Sequence, residues 1–474
     1  MRRVRLTTVV PILALASACS GNSVPDVVDT GSMRDATTVM DVSDVFDAPP
    51  PMDARDVFDA PLVTDIVDAP DASDVTDADA PPAPTDWCSF PGAIRFTASG
   101  TTTVPGGATS PDLSFLHLPA GFCAHHFGVV GNARQIRFAP SGELFVASPT
   151  ALTTGGGPGG QAAIVALADD DHDGVADAPV TFLASLSSTQ GLLFVPGWFY
   201  YQDGTAIRRV AYMPGDRAPR GASEMVANIT YYSSGLHWPK TLDVADDGSI
   251  YVGNGGDQGE ACSSPHAFHG GIRRLDGTPD GAPIAQGLRN PIAVRCARGH
   301  NLCFALEHGK DYTATTGGRE KLVPIRMGDD WGFPCCATRG VPYSDVAPGT
   351  DCSPVAAETV SFYVGDTPFG LAFAPSSWPA PWADHIVVVM HGAAGSWTGA
   401  RIVAVQTDPS TGMPMPGSDT MGTNTGSLSD FATGWDDHTL VHGRPAAVEF
   451  ASDGRLFVAN DNNGEIFWIA PVTP

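Results

Sequence analysis

Basic side chains are scarce. Against 52 Asp and Glu the chain has only 26 Lys and Arg, a net charge of −26, and a surface of that sign repels both nucleic acid and anionic lipid. Beyond the N-terminal leader no apolar run reaches the about 18 residues that a membrane-crossing helix needs. There is no CxxCH, which excludes covalently attached haem, and no CxxC pair, the usual spacing of a zinc site. Long helical periodicity is missing after about residue 87, while glycine (53) and proline (41) are plentiful. That combination excludes a helical bundle and points to an all-β domain.

What is present divides the chain in three. Residues 1–19 open on Met1-Arg-Arg-Val-Arg5, continue through the short apolar run Leu6 to Ala18 and end on Leu15-Ala-Ser-Ala-Cys19. This is the pattern of an export signal. Its end resembles a lipobox, so Cys19 is the expected lipidation site, with simple secretory cleavage as the alternative reading. Ser20 in the next place suits an outer-membrane destination, by resemblance to other lipoproteins. The lipid would then be the only contact with a membrane.

Residues 20–86 hold 16 Asp and two Arg with no Glu or Lys. Asp44-Val-Phe-Asp-Ala-Pro49 returns as Asp56-Val-Phe-Asp-Ala-Pro61. Aspartates at every third place match neither the helical nor the strand period, and the prolines break both. Self-repelling charge with little to bury predicts a disordered acidic tether, with a calcium-binding repeat as the other reading.

Residues 87–474 carry an internal repeat: a short apolar strand, a turn on Gly or Pro, and a second apolar strand. Its copies are Ile136 to Val146, Gly191 to Tyr200, Thr241 to Val252, Pro291 to Ala305, Gly370 to Val389 and Ala447 to Val458. Six hairpins, spaced widely enough for a four-stranded sheet each, predict a six-bladed β-propeller, a ring that leaves few free sheet edges. Without Cys19 the chain has eight cysteines, and an even number in an exported chain predicts disulfides. Cys296 and Cys303 flank a polar turn and can pair across a hairpin, whereas the pairing of the other six stays open.

In a propeller one loop per blade converges on the mouth of the central channel, so functional residues should stand just before or after the hairpins. Gly235-Leu-His-Trp-Pro-Lys240 precedes the third; Gly287-Leu-Arg-Asn-Pro291 and Glu307-His-Gly-Lys-Asp311 bracket the fourth. Gly328-Asp-Asp-Trp-Gly-Phe-Pro334, His391-Gly392 and Gly443-Arg-Pro445 follow. Over about residues 130–470 these motifs resemble the pyrroloquinoline quinone (PQQ)-dependent glucose and sorbosone dehydrogenase family.

The resemblance implies a six-bladed propeller that binds the quinone and Ca²⁺ at the channel mouth and oxidises a sugar or related alcohol. Electrons then pass to a separate acceptor. It implies that His237 is the general base and that Arg289 acts beside it, with Gln190, Lys240, Arg289, Asn290 and Arg444 as cofactor contacts. An imidazole suits the role because its ordinary pKa leaves it mostly neutral at working pH. The carbonyls of Gly309 and Lys310 are the implied calcium ligands. The sequence departs from the family at Lys240 and Ala446, where arginines are common, and in the loop from His391 to Arg401.

Separately, Asp169, Asp171 and Asp173, followed by Gly174 and Asp177, alternate like the start of a calcium loop, although the glutamate and helices of an EF-hand are missing. A plain acidic turn is the other reading. Two rival functions stand beside the oxidoreductase. One is a non-catalytic propeller that binds carbohydrate or a protein partner on Trp238, Trp331 and Trp397. The other is a calcium-dependent lactonase, which would need acidic ligands spread over the blades.

Overall fold

Three of the six hairpins turn through the same four-residue device. In Ala139-Pro-Ser-Gly142, Ala245-Asp-Asp-Gly248 and Ala451-Ser-Asp-Gly454 the glycine N–H donates to the alanine carbonyl at 3.0 Å. The alanine N–H in turn donates to the residue after the glycine, at 2.8 to 2.9 Å. The glycines sit at φ +102°, +83° and +89°, a left-handed conformation that a side chain would strain, and this is why a glycine closes each turn. The second hairpin uses Pro196-Gly197 instead, with Gly197 at φ +80°.

The computed structural model describes residues 86–472 apart from 108–111, 150–160, 231–236, 258, 265–267, 311–317, 394–395, 397, 421–422 and 438–441. The leader with Cys19 and all of the tether but Asp86 lie outside the described residues. Asp86 itself accepts the Cys88 N–H at the start of the short helix Trp87–Ser89.

Every hairpin is the inner half of a blade. The first blade comprises Gln135–Phe138, Leu144–Ser148, Ala162–Leu167 and Val180–Leu186, and the second Leu192–Val195, Trp198–Asp203, Ala206–Ala211 and Arg220–Asn228. The third comprises Leu242–Val244, Ile250–Asn254, Gly271–Arg274 and Ala282–Gln286. The fourth is built on Asn290–Ala297, Leu302–His308, Glu320–Pro324 and Val360–Phe362, and the fifth on Pro368–Phe373, Ile386–Met390, Arg401–Val405 and Leu428–Ala432. The sixth is built on Pro445–Phe450, Leu456–Asn460 and Glu465–Pro471. Each inner strand touches the inner strands of both neighbouring blades, from the first to the sixth and back to the first. The all-β, six-bladed propeller expected from the repeat is the fold observed.

Each blade is buried on both faces, so its strands alternate between two seams. Leu144 and Val146 pack into the seam with the sixth blade, while Phe145 and Ala147 pack into the seam with the second. An apolar cluster fills each of the six blade-to-blade seams. Burial of that apolar area is the main favourable contribution to folding.

The ring closes with a strand that the repeat does not contain. Phe122–Val129 pairs antiparallel with Glu465–Pro471, Cys123 opposite Ala470, and supplies the sixth blade's fourth strand. Ile94–Thr97 and Gly100–Thr103 extend the same sheet outward. A Cys88–Cys123 disulfide ties this segment down. The remaining cysteines pair as Cys262–Cys335, Cys296–Cys303 and Cys336–Cys352. The second of these spans the fourth hairpin as its spacing suggested. The fifth blade sends Gly417–Thr420 and Thr423–Gly426 to the outer edge of the fourth, where Gly417–Thr420 runs parallel to Val360–Phe362.

Candidate active site

The residues before each inner strand and after each second strand gather on one face of the ring, and hydrogen bonds join them from blade to blade. Gln202 of the second blade donates to the Trp238 carbonyl at 2.8 Å and accepts the Lys240 N–H at 3.0 Å, fixing the backbone on either side of Pro239. Gly256 N–H donates to the Arg289 carbonyl at 2.7 Å. His308 Nε2 bonds the Pro368 carbonyl at 2.8 Å. Arg444 donates to the His391 and Gly392 carbonyls at 3.0 and 2.6 Å. His391 Nε2 bonds Asp461 Oδ2 at 2.9 Å, and Arg134 of the first blade reaches the same oxygen at 3.3 Å.

His237 is buried, with Nδ1 2.8 Å from the Gly256 carbonyl. A carbonyl can only accept, so in the neutral ring Nδ1 carries the proton and Nε2 carries the lone pair. That is the tautomer a general base requires. The approach is close because Gly255 has no side chain: a Cβ there would stand 2.7 Å from the His237 Cβ and 3.2 Å from Asn290 Oδ1.

Arg289 is held on two sides. Its N–H donates to Glu307 Oε1 at 3.0 Å and its Nη1 to the Gly309 carbonyl at 3.1 Å. Asn290 Nδ2 lies 3.4 Å from His308 Nδ1. Since His308 Nε2 must donate to the Pro368 carbonyl, Nδ1 is left as the acceptor. Burial pushes the His308 imidazole down to about 3; the Pro368 bond opposes this, while His391, Arg289 and His237 push the same way. His308 therefore sits among these three side chains as a neutral ring.

The Asp-Asp-Trp-Gly-Phe-Pro stretch is the brace of this region. Asp330 accepts from Gln286 Nε2 at 2.9 Å, and the Trp331 and Phe333 N–H groups donate to the Gln286 and Gly287 carbonyls at 2.9 Å. A Cβ on Gly287 would meet Asp330 Oδ1 at 2.3 Å, so the two motifs fit only with glycine between them. Trp331 is buried in this packing, which removes it as a stacking surface for carbohydrate. Trp238 stays half-buried, and Trp397 lies outside the described residues.

Four further groups could not have been assigned from motif resemblance. Arg134 stands just before the first hairpin, the place that Arg289 and Arg444 hold before the fourth and sixth. Asp461 stands just after the sixth hairpin, the place of His391 after the fifth; those positional rules were the available signals. Glu320 and Lys321 lie on the fourth blade's third strand and carry no such signal. Lys321 Nζ is 3.1 Å from Glu307 Oε2, with both side chains at most 1% exposed.

Glu320 accepts the Gly309 and Gly365 N–H groups at 2.7 and 3.3 Å. Burial raises its carboxyl from the usual 4.5 to about 8, the two N–H bonds pulling the other way and Glu307 adding to the rise. The folded chain thus keeps a proton that the unfolded chain releases, and stability falls as pH rises from 4.5 to about 8. Glu320→Gln removes that contribution: between about pH 5 and about pH 8 the variant loses less unfolding free energy in urea titrations than the parent chain.

Lys240 is fully buried, donates from Nζ to Asn254 Oδ1 at 3.1 Å, and is pulled down to about 7 by burial, with Arg273 adding to the fall. Burial likewise lowers Arg444, to about 10. Arg401 does not face the mouth as a cofactor cation: it is buried against Asp366, Asp419 and Asp430 at 2.9, 2.5 and 3.0 Å. Ala446 packs in the seam between the fourth and fifth blades. Lys310 Nζ pairs with Asp345 at 2.5 Å over the Tyr343 ring.

The polar inventory of the mouth, acceptor oxygens and hydroxyls beside cationic side chains, suits a polar cofactor that carries donors as well as anionic groups. Thr189 Oγ1, Gln190 Oε1, Thr241 Oγ1, Asn290 Oδ1 and Asp461 Oδ1 are buried there without a hydrogen-bond partner. Buried polar atoms are normally paired, with protein, water or ligand. Arg134, Arg289 and Arg444 supply positive charge around them, and Lys240 adds to it when protonated. A calcium ion on the Gly309 carbonyl would compete there with the Arg289 guanidinium.

Away from the mouth, carboxylate oxygens of Asp169, Asp171 and Asp173 lie within 4.8 Å of one another, the one such group among the described residues. Asp177 is not part of it; its carboxylate accepts the Asp170 N–H at 2.9 Å.

Solved structures with this architecture are numerous. A Trichoderma reesei carbohydrate-active enzyme of family AA12, in a calcium structure, is 19% identical, with 75% of this chain and 97% of that one aligned at a TM-score of 0.58. The holo form of a Coprinopsis cinerea pyranose dehydrogenase PQQ domain is 16% identical over 75% of this chain and 96% of that one, at 0.58. The apo form of soluble aldose sugar dehydrogenase from Escherichia coli is 14% identical over 74% and 99%, at 0.51. The chain shares their fold. No protein-family model and no curated protein sequence matches it.

Proposed function

We propose that the chain is an exported PQQ-dependent oxidoreductase that oxidises a sugar or related alcohol at the propeller mouth. The observation that carries this reading is His237, buried beside Asn290 and Gly255, with Nδ1 committed to the Gly256 carbonyl and its lone pair therefore on Nε2. When bound, the quinone would supply the hydride acceptor. Gln190, Asn290 and Thr189, with their unpartnered buried atoms, and the cations Arg289, Lys240 and Arg444 are the residues that would hold it.

In this reading His237 Nε2 takes the proton of the substrate hydroxyl as hydride leaves the same carbon. Arg289, fixed by Glu307 and Gly309, presents a preoriented positive charge where negative charge develops. Four disulfides support an oxidising compartment, and the lipobox-like Leu15 to Cys19 supports a lipid-anchored form at the cell envelope, on the periplasmic face or the surface.

The test is dye-linked turnover by purified chain after incubation with Ca²⁺ and PQQ, over a panel of aldoses and alcohols. Quinone-dependent turnover of at least one substrate is expected. Binding of carbohydrate without any quinone-dependent turnover would favour the non-catalytic propeller.

A further inference from the structure

Of the four disulfides in the ring, one stands apart by its surroundings. Cys88–Cys123, Cys296–Cys303 and Cys336–Cys352 are buried, with every cysteine at most 6% exposed. Cys262 and Cys335 are both half-buried. Cys262 also lines a cavity of about 260 Å³, together with Glu260, Lys310, Phe333, Asp345 and Val346. A small dithiol can therefore approach this bond while packing shields the other three. Because Glu260 and Asp345 outnumber Lys310 on the lining, the suited reductant is an uncharged one.

The bond joins two segments that build the mouth. Cys262 belongs to the connection between the third blade's second and third strands. Within it the Glu260 and Ser264 N–H groups donate to the Asp257 and Ala261 carbonyls at 3.2 and 2.9 Å, and Glu260 Oε1 lies 2.6 Å from His269 Nδ1. Those contacts are local. The disulfide carries the connection across to the fourth blade, where Cys335 follows the Trp-Gly-Phe-Pro brace and donates its N–H to the Gly332 carbonyl at 2.8 Å. Its sequence separation of 73 residues is the largest of the four, so its loss returns the most freedom to the chain.

At the near end of the same connection stands Gly256. Its carbonyl holds Nδ1 of His237, and its N–H donates to the Arg289 carbonyl. It is also packed against the brace: a Cβ on Gly256 would lie 3.3 Å from Phe333 Cε1, two residues before Cys335. The disulfide thus closes the same junction that places the partner of His237.

We propose that Cys262–Cys335 is a redox latch on the mouth, opened by a dithiol ahead of the other three bonds. One thiolate of the dithiol attacks a sulfur of the pair and displaces the other cysteine as its thiolate. The second thiolate then resolves the mixed disulfide, so that the dithiol leaves oxidised and Cys262 and Cys335 remain as two thiols. The freed connection loosens Gly256 from His237 and Arg289. The latch follows from this packing alone; its effect on turnover rests on the proposed function.

Graded dithiothreitol under native conditions, followed by N-ethylmaleimide and peptide mass mapping, tests the order of opening. Cys262 and Cys335 are expected to be alkylated at a dithiothreitol concentration at least about tenfold below that needed for the other six disulfide cysteines. Hydrogen exchange reads the consequence. In the chain reduced at this bond alone, amides around Gly256 exchange at least about tenfold faster, while those of Leu144–Ser148 and Leu456–Asn460 keep their rates. A double variant, Cys262→Ser with Cys335→Ser, should exchange fast around Gly256 without reductant and respond no further to it. Earlier alkylation of another pair, or unchanged exchange around Gly256 once Cys262 and Cys335 are alkylated, overturns the latch. Neither readout needs the quinone, so a chain that lacks quinone-dependent turnover counts against the proposed function and not against the latch.

Discussion

Replacing His237 by alanine lowers kcat for quinone-dependent sugar oxidation by roughly 10²- to 10⁴-fold, the usual contribution of a positioned general base. PQQ affinity changes little. The split follows from the geometry. His237 is bound through Nδ1 to a backbone carbonyl of its own blade, so its removal takes away the base while Arg289 and Asn290 keep their own partners. Stopped-flow reduction of the loaded protein by substrate separates the two quantities. Equal losses in quinone affinity and in kcat/KM would assign His237 to cofactor positioning instead.

Lys321→Met destabilises the chain by about 3–5 kcal/mol, the cost of leaving one member of a buried ion pair alone. Its partner, Glu307, is 0% exposed and also holds the Arg289 N–H. In the parent chain burial works against the Lys321 charge and Glu307 holds it on, so that the ammonium titrates well above its ordinary range. Chemical unfolding measures the loss, and Glu307→Gln combined with Lys321→Met should recover part of it, since no unpaired charge then remains. A Lys321→Met variant as stable as the parent would mean that water or a neighbouring group already balances Glu307. The same pair links stability to function, because the carboxylate that Lys321 neutralises orients the backbone of Arg289.

The blades were legible in the sequence because their signal is local. Two short apolar strands around a Gly or Pro turn, in three of the six an Ala-x-x-Gly turn, mark each inner hairpin within a short stretch of sequence, and a strand buried on both faces needs apolar side chains throughout. The closing strand was not legible for the opposite reason. Phe122–Val129 pairs with Glu465–Pro471 at the far end of the chain, and nothing near it in sequence names that partner. The donation of Gly417–Thr420 and Thr423–Gly426 to a neighbouring blade is hidden in the same way.

The site divides along similar lines. Gln190, His237, Lys240, Arg289, Asn290, Gly309 and Arg444 stand at blade ends on one face, where the hairpin rule placed them. Glu320 and Lys321 lie within a strand, and their burial is set by packing of the fourth blade against its neighbours. Their sequence, Glu-Lys, reads as a solvated surface pair. Arg401, at the end of the loop that departs from the family pattern, is enclosed by three carboxylates from separate segments, which no local pattern announces.

The proposed activity requires that the mouth bind a quinone through Arg289 and its neighbours. Spectrophotometric titration of the purified chain with PQQ in the presence of Ca²⁺ tests it most directly. A saturable shift of the quinone absorption with one PQQ per chain is expected, retained in His237→Ala and weakened by at least about tenfold in Arg289→Met, where a charge-assisted contact is lost. A spectrum that stays that of free PQQ at every protein concentration would contradict it.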